Sequence, residues 1–310
     1  MLRYNSYRSY LRNRFGGPVL KISLDAGFSC PNRDGGTGAP GCSYCDVRSF
    51  SPVAGSVEST KAQLLRGIER GRKRYRHFIA YLQPYTNTYA PVNRLRSLYE
   101  SLIDGPDVVG LAIGTRPDCI DDDVFELLCE LSSKTFLSVE LGLQSGNDGT
   151  LERNRRGHTV ECFTRMASRL AAAGIEVVAH VILGLPGDSR KMMLDTARLL
   201  ASLPVQGVKF HQLMIVRGTQ MHAWHERGEV QALKLEEYAE LVGRCLALLR
   251  PDQHIHRLVA DSRPDQGLVA PLWSADKTSA IAAVRAYLER EDVCQGKEYG
   301  GGDERARERG

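Results

Sequence analysis

No stretch of this 310-residue chain approaches the roughly 18 uninterrupted apolar residues of a membrane helix. The N-terminus, Met1-Leu2-Arg3-Tyr4-Asn5-Ser6-Tyr7-Arg8, lacks the apolar core of a secretory signal. Charge of one sign is scarce as well. The 41 basic and 37 acidic residues leave a net charge of +4, which excludes a histone-like or supercharged chain but not a local basic face. No internal repeat is found beyond an alternation of strand and helix patterns. These absences predict a cytoplasmic protein that does not touch membrane. In that compartment eight cysteines do not make a disulfide framework.

What is present is ordinary in bulk and specific in detail. Hydrophobic residues are 42 % and charged residues 25 %, enough to bury a core without staples. The length suits two domains or one α/β barrel. Apolar runs at Val19–Leu24, His77–Leu82, Val108–Ile113, Phe136–Leu143, Val177–Leu183 and Val208–Val216 read as strands. Between them, Lys61–Arg74, Val92–Ile103, Asp122–Ser132, Val160–Ala173 and Arg190–Leu203 carry helical periodicity. Asp121, Thr159 and Asp188-Ser189 stand where a side-chain oxygen can cap a helix. The pattern predicts βα units on a parallel sheet. The fold class expected is α/β, a partial (β/α)6 TIM-type barrel with a small C-terminal extension. A flat doubly wound sheet leaves the same pattern, and the cysteine chemistry below favours the barrel.

After Val216 a helix near Leu235–Leu249, an alternating run His254–Val259 like an edge strand, and a helix near Asp276–Leu288 form the extension. The expected divisions are an N-terminal segment 1–17 packed on the barrel, a core 18–220, the extension 221–294 and a disordered tail 295–310. The tail is polar and carries Gly300-Gly301-Gly302. His254 and His256 share a sheet face but lack a third ligand, so they are not read as a metal site.

Cys129, Cys162 and Cys245 fall in helical patterns and read as small core hydrophobes. Cys30, Cys42 and Cys45 need another explanation. They follow the first strand, at the end of a parallel barrel where active sites collect. Glycine or proline at 31, 35, 36, 38, 40 and 41 lets this loop wrap around something small. Thiolates select zinc or iron–sulfur chemistry. A structural zinc wants four ligands, and the next candidates, His77 and Cys119, are distant in sequence. Three thiolates with an open position suit a 4Fe–4S cluster whose fourth iron binds a small molecule.

Three cysteines after a first strand, with Tyr44 before the third, resemble the radical S-adenosylmethionine (radical SAM) superfamily. Eleven residues separate Cys30 from Cys42 and two separate Cys42 from Cys45. That widened first gap resembles the branch of the YhcC/YtqA-type proteins, related to the Elongator catalytic subunit. Further phrases are similar to that branch: Leu24-Asp25-Ala26-Gly27-Phe28, Tyr85-Thr86-Asn87-Thr88-Tyr89-Ala90, Gly114-Thr115-Arg116-Pro117-Asp118-Cys119 and Glu140-Leu141-Gly142-Leu143-Gln144-Ser145. The resemblance covers roughly residues 1–275.

The resemblance implies a 4Fe–4S cluster on Cys30, Cys42 and Cys45. It also implies reductive cleavage of S-adenosylmethionine to a 5′-deoxyadenosyl radical, fed by an electron donor such as flavodoxin or ferredoxin. It puts the methionine amino group near Gln83, Tyr85 and Thr86, and ribose and carboxylate contacts at Glu140, Gln144 and Ser145. Arg156 would fork onto the carboxylate, and adenine would pack near Gly184. Arg116, His180 and His211 would face substrate, with Cys119 as a candidate catalytic thiol.

Arg70, Arg72, Lys73, Arg74 and Arg76 form a basic run. Tyr4, Tyr7 and Tyr10 mix with Arg3, Arg8, Arg12 and Arg14 near the N-terminus. Such mixtures suit phosphate contact and base stacking. With the resemblance they imply a transfer RNA substrate, at a wobble-uridine side chain. Two other readings stay open: a radical SAM enzyme for a small metabolite such as a porphyrinogen, and a non-catalytic zinc-stabilised RNA-binding protein.

Overall fold

As in a parallel sheet covered by its crossover helices, apolar residues recur through the strand runs. In the computed structural model, which describes residues 2–35, 41–46, 51, 53–260, 262 and 264–300, they pair as expected. Helix α1 (Tyr7–Phe15) precedes strand β1 (Val19–Leu24). There follow α2 (Thr60–Gly71), β2 (His77–Leu82), α3 (Val92–Ile103), β3 (Val108–Thr115), α4 (Asp122–Lys134) and β4 (Phe136–Gln144). The alternation continues through α5 (Asp148–Arg153), α6 (Val160–Ala172), β5 (Glu176–Leu183), α7 (Arg190–Ser202) and β6 (Gly207–Gln212). The last third holds β7 (Ile215–Val216), α8 (Gln220–Glu226), α9 (Leu235–Leu248), β8 (His254–Arg257), β9 (Leu268–Ala270) and α10 (Lys277–Arg290).

Seven strands form one sheet in the order β1-β2-β3-β4-β5-β6-β8, parallel throughout. Consecutive order without a reversal is the signature of a barrel; a doubly wound sheet reverses direction at a switch point. The partial barrel therefore stands, with β8 from the extension as its seventh strand. One expected strand is corrected. The run Val208–Val216 breaks after Gln212, and Ile215–Val216 instead pairs antiparallel with β9. The expected caps are made: Asp121, Thr159 and Ser189 accept from the N–H groups of Val124, Cys162 and Met192.

The two faces of the sheet differ in chemistry. Outside, Leu24, Phe78, Leu111, Val139 and Val177 pack with Leu95, Leu127, Phe163 and Leu200 of the helices in one continuous core. Inside, Tyr7 and Leu11 of α1 pack with Ile79, Tyr81 and Ala112, closing the end where the strands begin. The N-terminal segment also covers the open edge of β8, where the Ile255 N–H donates to the Asn5 carbonyl at 2.7 Å. Residues after 294 are still tied in. The Gln295 N–H donates to the Arg3 carbonyl at 2.9 Å and the Gly296 N–H to the Leu246 carbonyl at 3.1 Å. The remainder of the expected disordered tail, 301–310, lies outside the described residues.

Candidate active site

The ends of the parallel strands surround a cavity of about 1100 Å³, counting its open mouth. Cys30, Cys42, Cys45, Gln83, Tyr85, Thr86, Arg116, Glu140, Gln144, Arg156, His180 and His211 all line it. Sequence reasoning missed Tyr81, Lys209 and Arg257 on the same wall. The signal for Lys209 was present: a lysine between Val208 and Phe210, in the middle of a strand, must find a partner.

The cysteine loop is held from both sides. Asn32 donates to the carbonyls of Arg155 and Arg156 at 2.8 and 3.0 Å, and to Cys42 Sγ at 3.3 Å. Between the second and third cysteines, Ser43 Oγ donates to Asn154 Oδ1 at 2.8 Å, and the Met221 N–H donates to the Ser43 carbonyl at 2.8 Å. Thus α5 and α8, two short helices without a clear sequence signal, clamp the loop. Gly36, Gly38 and Pro40 of that loop lie outside the described residues. Burial, with Cys42 alongside, pushes the Cys45 thiol up to about 12, so its thiolate needs a nearby positive charge. The three sulfurs do not all lie within 4.8 Å of one another. Among the described residues, the single trio of histidine, cysteine or carboxylate ligands within 4.8 Å of one another lies elsewhere. A tetrahedral zinc would hold thiolates about 3.8 Å apart. Three separated thiolates fit a 4Fe–4S cluster, in which each iron takes its own ligand.

Also lining the cavity, Tyr85 and Gln144 adopt left-handed backbone conformations, with φ of 63° and 77°. Non-glycine residues there cost of order 1 kcal/mol or more and gather at functional sites. Gln144 follows a register shift between β4 and β5 that turns its side chain toward the cavity. Arg156 donates from Nη2 and Nε to the Gly142 carbonyl at 2.8 and 3.2 Å, leaving Nη1 for a ligand. Gly142 makes this packing possible. A Cβ there would collide with Arg156 Nη2 and stand 2.6 Å from Gln144 Nε2.

Glu140 sits beneath, fully buried. Its carboxylate accepts from Lys21 Nζ, Tyr81 OH (2.7 Å), His180 Nε2 (2.6 Å) and Lys209 Nζ (2.8 Å). Burial pushes the carboxyl up, but Lys209 and Lys21 outweigh it and hold it well below the ordinary range. Burial, helped by Lys209, pulls His180 down to about 4 against the pull of Glu140. His211 is held low by burial and Arg257, and its Nε2 has no partner.

Several expected roles are corrected. Glu140 reaches the cavity wall, but four donors already occupy its oxygens, so it is first a charge partner. Ser145 turns away from the cavity and donates to Asp188 Oδ1 at 2.9 Å. Gly184 is likewise not among the lining residues, and a Cβ on it would meet Leu233 at 3.2 Å. Cys119 is absent from the lining, and burial with Asp118 pushes its thiol up to about 12, which makes it a poor nucleophile. Arg116 is committed to Asp118 through two bonds of 2.9 and 2.6 Å and reaches Cys30 Sγ at 4.0 Å, so it braces the cysteine loop. Arg70, Arg72, Lys73, Arg74 and Arg76 are exposed, but they lead into the start of β2, at the end of the barrel opposite the cavity mouth.

The chain was compared with known proteins. The family described as "Radical SAM superfamily" matches residues 30–200, and the "Radical_SAM C-terminal domain" matches residues 205–290. YtqA of Bacillus subtilis is 38 % identical over 298 residues, covering 95 % of this chain and 92 % of that protein. YhcC of Escherichia coli is 38 % identical over 299 residues, covering 96 % and 95 %. A tRNA uridine(34) acetyltransferase of Methanocaldococcus jannaschii is 28 % identical over 144 residues, 46 % of this chain and 26 % of that protein. Among solved structures, Elp3 of Methanocaldococcus infernus superposes with a TM-score of 0.66 at 17 % identity, covering 89 % of this chain and 64 % of that one, a likeness of fold.

Two outcomes are expected from this geometry. Gly142→Ala should displace Arg156 and Gln144 and weaken S-adenosylmethionine binding by about 1–3 kcal/mol, the cost of unpaired buried polar groups. Iron content should stay unchanged, as measured by calorimetry beside iron analysis. Between pH 6.5 and about 4 the unfolded chain protonates His180 while the folded chain does not, so stability falls on acidification. The thermal midpoint should drop from pH 7 to pH 5. In His180→Gln the slope should be shallower by up to ~1.4 kcal/mol per pH unit; equal slopes would contradict the assignment.

Proposed function

This chain belongs to the radical SAM superfamily, and from that premise we propose that it modifies transfer RNA at the wobble uridine. It is an S-adenosylmethionine-dependent enzyme with a 4Fe–4S cluster. When bound, the cluster supplies one electron that cleaves S-adenosylmethionine and yields a 5′-deoxyadenosyl radical. The reading assigns the chain's own residues as follows. Cys30, Cys42 and Cys45 hold the cluster, and Arg116 and Asn32 keep their loop in place. Gln83, Tyr85 and Thr86 receive the methionine amino group through backbone carbonyls and side chains. Arg156 pairs with the methionine carboxylate, and Gln144 meets carboxylate or ribose. His180, His211 and Lys209 form the cavity floor and keep water from the reacting atoms. The electron comes from a donor such as flavodoxin or ferredoxin, in the cytoplasm where transfer RNA resides.

The observation that carries the RNA reading is the rim of the cavity. Arg33, Arg153, Arg155 and Arg217 are exposed, each on a segment that follows the end of a strand and so on the side where the cavity opens. Arg33 reaches over the Tyr85 ring at 5.8 Å, and Arg153 lies 6.0 Å from the Trp224 ring. Arginine planes beside aromatics suit phosphates and unstacked bases. The relative that acts on uridine 34 of tRNA supports the same substrate class. The match spans only 26 % of that protein, so its acetyl transfer is not carried over.

Arg153→Gln, Arg155→Gln and Arg217→Gln together should weaken tRNA binding. They should also lower the slope of log affinity against log salt by about two to three units, near one per phosphate contact. Neutralising Arg72, Lys73 and Arg74 at the far end should leave both unchanged. Nucleoside analysis of tRNA from cells lacking the chain should show a changed uridine 34. Identical nucleosides, together with no RNA binding, would favour a small metabolite instead.

A further inference from the structure

The closed end of the barrel holds a second group of ligand-type side chains, independent of the cysteine loop. Glu176 opens β5, and His254 and His256 lie on β8, all pointing into the barrel. One ligand atom from each lies within 4.8 Å of the others. Sequence reasoning had the two histidines but not the third residue, which comes from two strands away.

Three observations go beyond this proximity. First, Glu176 Oε1 and His254 Nε2 are buried and have no hydrogen-bond partner, although the residues are only 7 % and 2 % exposed. His254 Nε2 lies 3.5 Å from Glu176 Oε2 without bonding to it. His254 Nδ1 and His256 Nε2 stand 3.1 Å apart, near the spacing of two nitrogens on one ion, and are the nitrogens that would ligate it. Buried unpaired polar atoms are costly; an ion would satisfy Glu176 Oε1, and a His254 ligating through Nδ1 would carry its proton on Nε2, which faces Glu176 Oε2. Second, β6 presents Gly207 toward the histidines. A Cβ there would stand 2.7 Å from His254 Nδ1 and 2.8 Å from His256 Nε2, so glycine leaves the space free. Third, the rings are fixed from behind. Tyr7 stacks on His256 at 3.5 Å, His256 Nδ1 faces Glu140 Oε1 at 3.7 Å, and Tyr10 OH donates to Glu176 Oε2 at 2.6 Å. A carboxylate behind a ligating imidazole is the usual outer support of a metal site.

We propose that Glu176, His254 and His256 bind one divalent transition-metal ion of the zinc or ferrous type. Two imidazoles and one carboxylate suit such ions, with a remaining position for water. Access is through a groove of about 570 Å³, counting its open side, lined by Tyr10, Arg14, Gln206 and Glu176. The ion ties β5 to β8 and, through Tyr7 and Tyr10, fastens α1 across the end of the barrel. Its role is structural and does not depend on the substrate.

The test uses full-length, cluster-loaded protein, in which iron and sulfide occupy the cysteines. After exposure to Zn²⁺ and gel filtration, it should retain about one zinc per chain with cluster iron unchanged. Co²⁺ in its place should give visible d–d bands without a thiolate-to-cobalt charge-transfer band. His254→Gln and Glu176→Gln should each reduce retained zinc at least tenfold while keeping iron. Absence of retained zinc in the unaltered protein would overturn the proposal. So would undiminished zinc in both variants, or a thiolate band in the cobalt spectrum.

Discussion

The buried Glu140 carboxylate is the interaction on which the barrel interior depends. An ion of this kind is costly to desolvate and is tolerated only when its partners are close and its lone pairs are filled. Lys21 reaches it from β1, Tyr81 from β2, His180 from β5 and Lys209 from β6. One carboxylate thus binds strands across the width of an incomplete barrel. Removing it would leave two buried ammonium groups, a loss of about 3–5 kcal/mol for a broken buried pair. Burial pulls Lys209 down to about 7, yet Lys21 and Arg257 still outnumber the Glu140 carboxylate beneath the cavity. That field favours anionic groups entering from above, whether a methionine carboxylate or a phosphate.

The same arrangement gives the barrel two ends with different duties. At the open end, loops after the strands bring together three thiols, a forked guanidinium and two left-handed residues. At the closed end, α1 and its tyrosines plug the interior. Between the two, polar side chains are continuous from Glu176 through the histidines to Glu140, Lys209 and His180. Radical chemistry profits from this plan, because a reactive species is useful only where water and stray hydrogen donors are excluded. The apolar outer core is left to the helices, so changes at the site need not alter the packing that holds the fold.

Much of this was legible in the chain itself. Strands β1 and β2 and helix α3 begin and end where periodicity placed them, since their apolar runs are bounded by glycine, proline or charge. The cysteine spacing and the motifs at strands two to six led to a dozen residues that line one cavity. What escaped is what only tertiary contact decides. Helices α5 and α8 are too short to show a period, yet through Asn154 and Met221 they clamp Ser43. Ser145 and Gly184 sit beside the right motifs, but neighbouring Asp188 and Leu233 claim them. The basic run around Arg72 looked suited to RNA by composition. Its position is set by the direction of α2, which delivers it to the wrong end for the cavity mouth. Glu176 carried no motif, and only the lateral order of strands brings it to His254.

The central claim is that this cavity holds both cofactors in working geometry. The most direct test is anaerobic reconstitution followed by strong reduction with S-adenosylmethionine, measuring methionine and 5′-deoxyadenosine. The account expects the two in equal amounts from the unaltered chain, neither from the chain with Cys30, Cys42 and Cys45 replaced by Ala, and cleavage intact in Cys245→Ala. Cleavage that survives loss of the three cysteines, or a reconstituted chain with a full cluster that never cleaves S-adenosylmethionine, would contradict it.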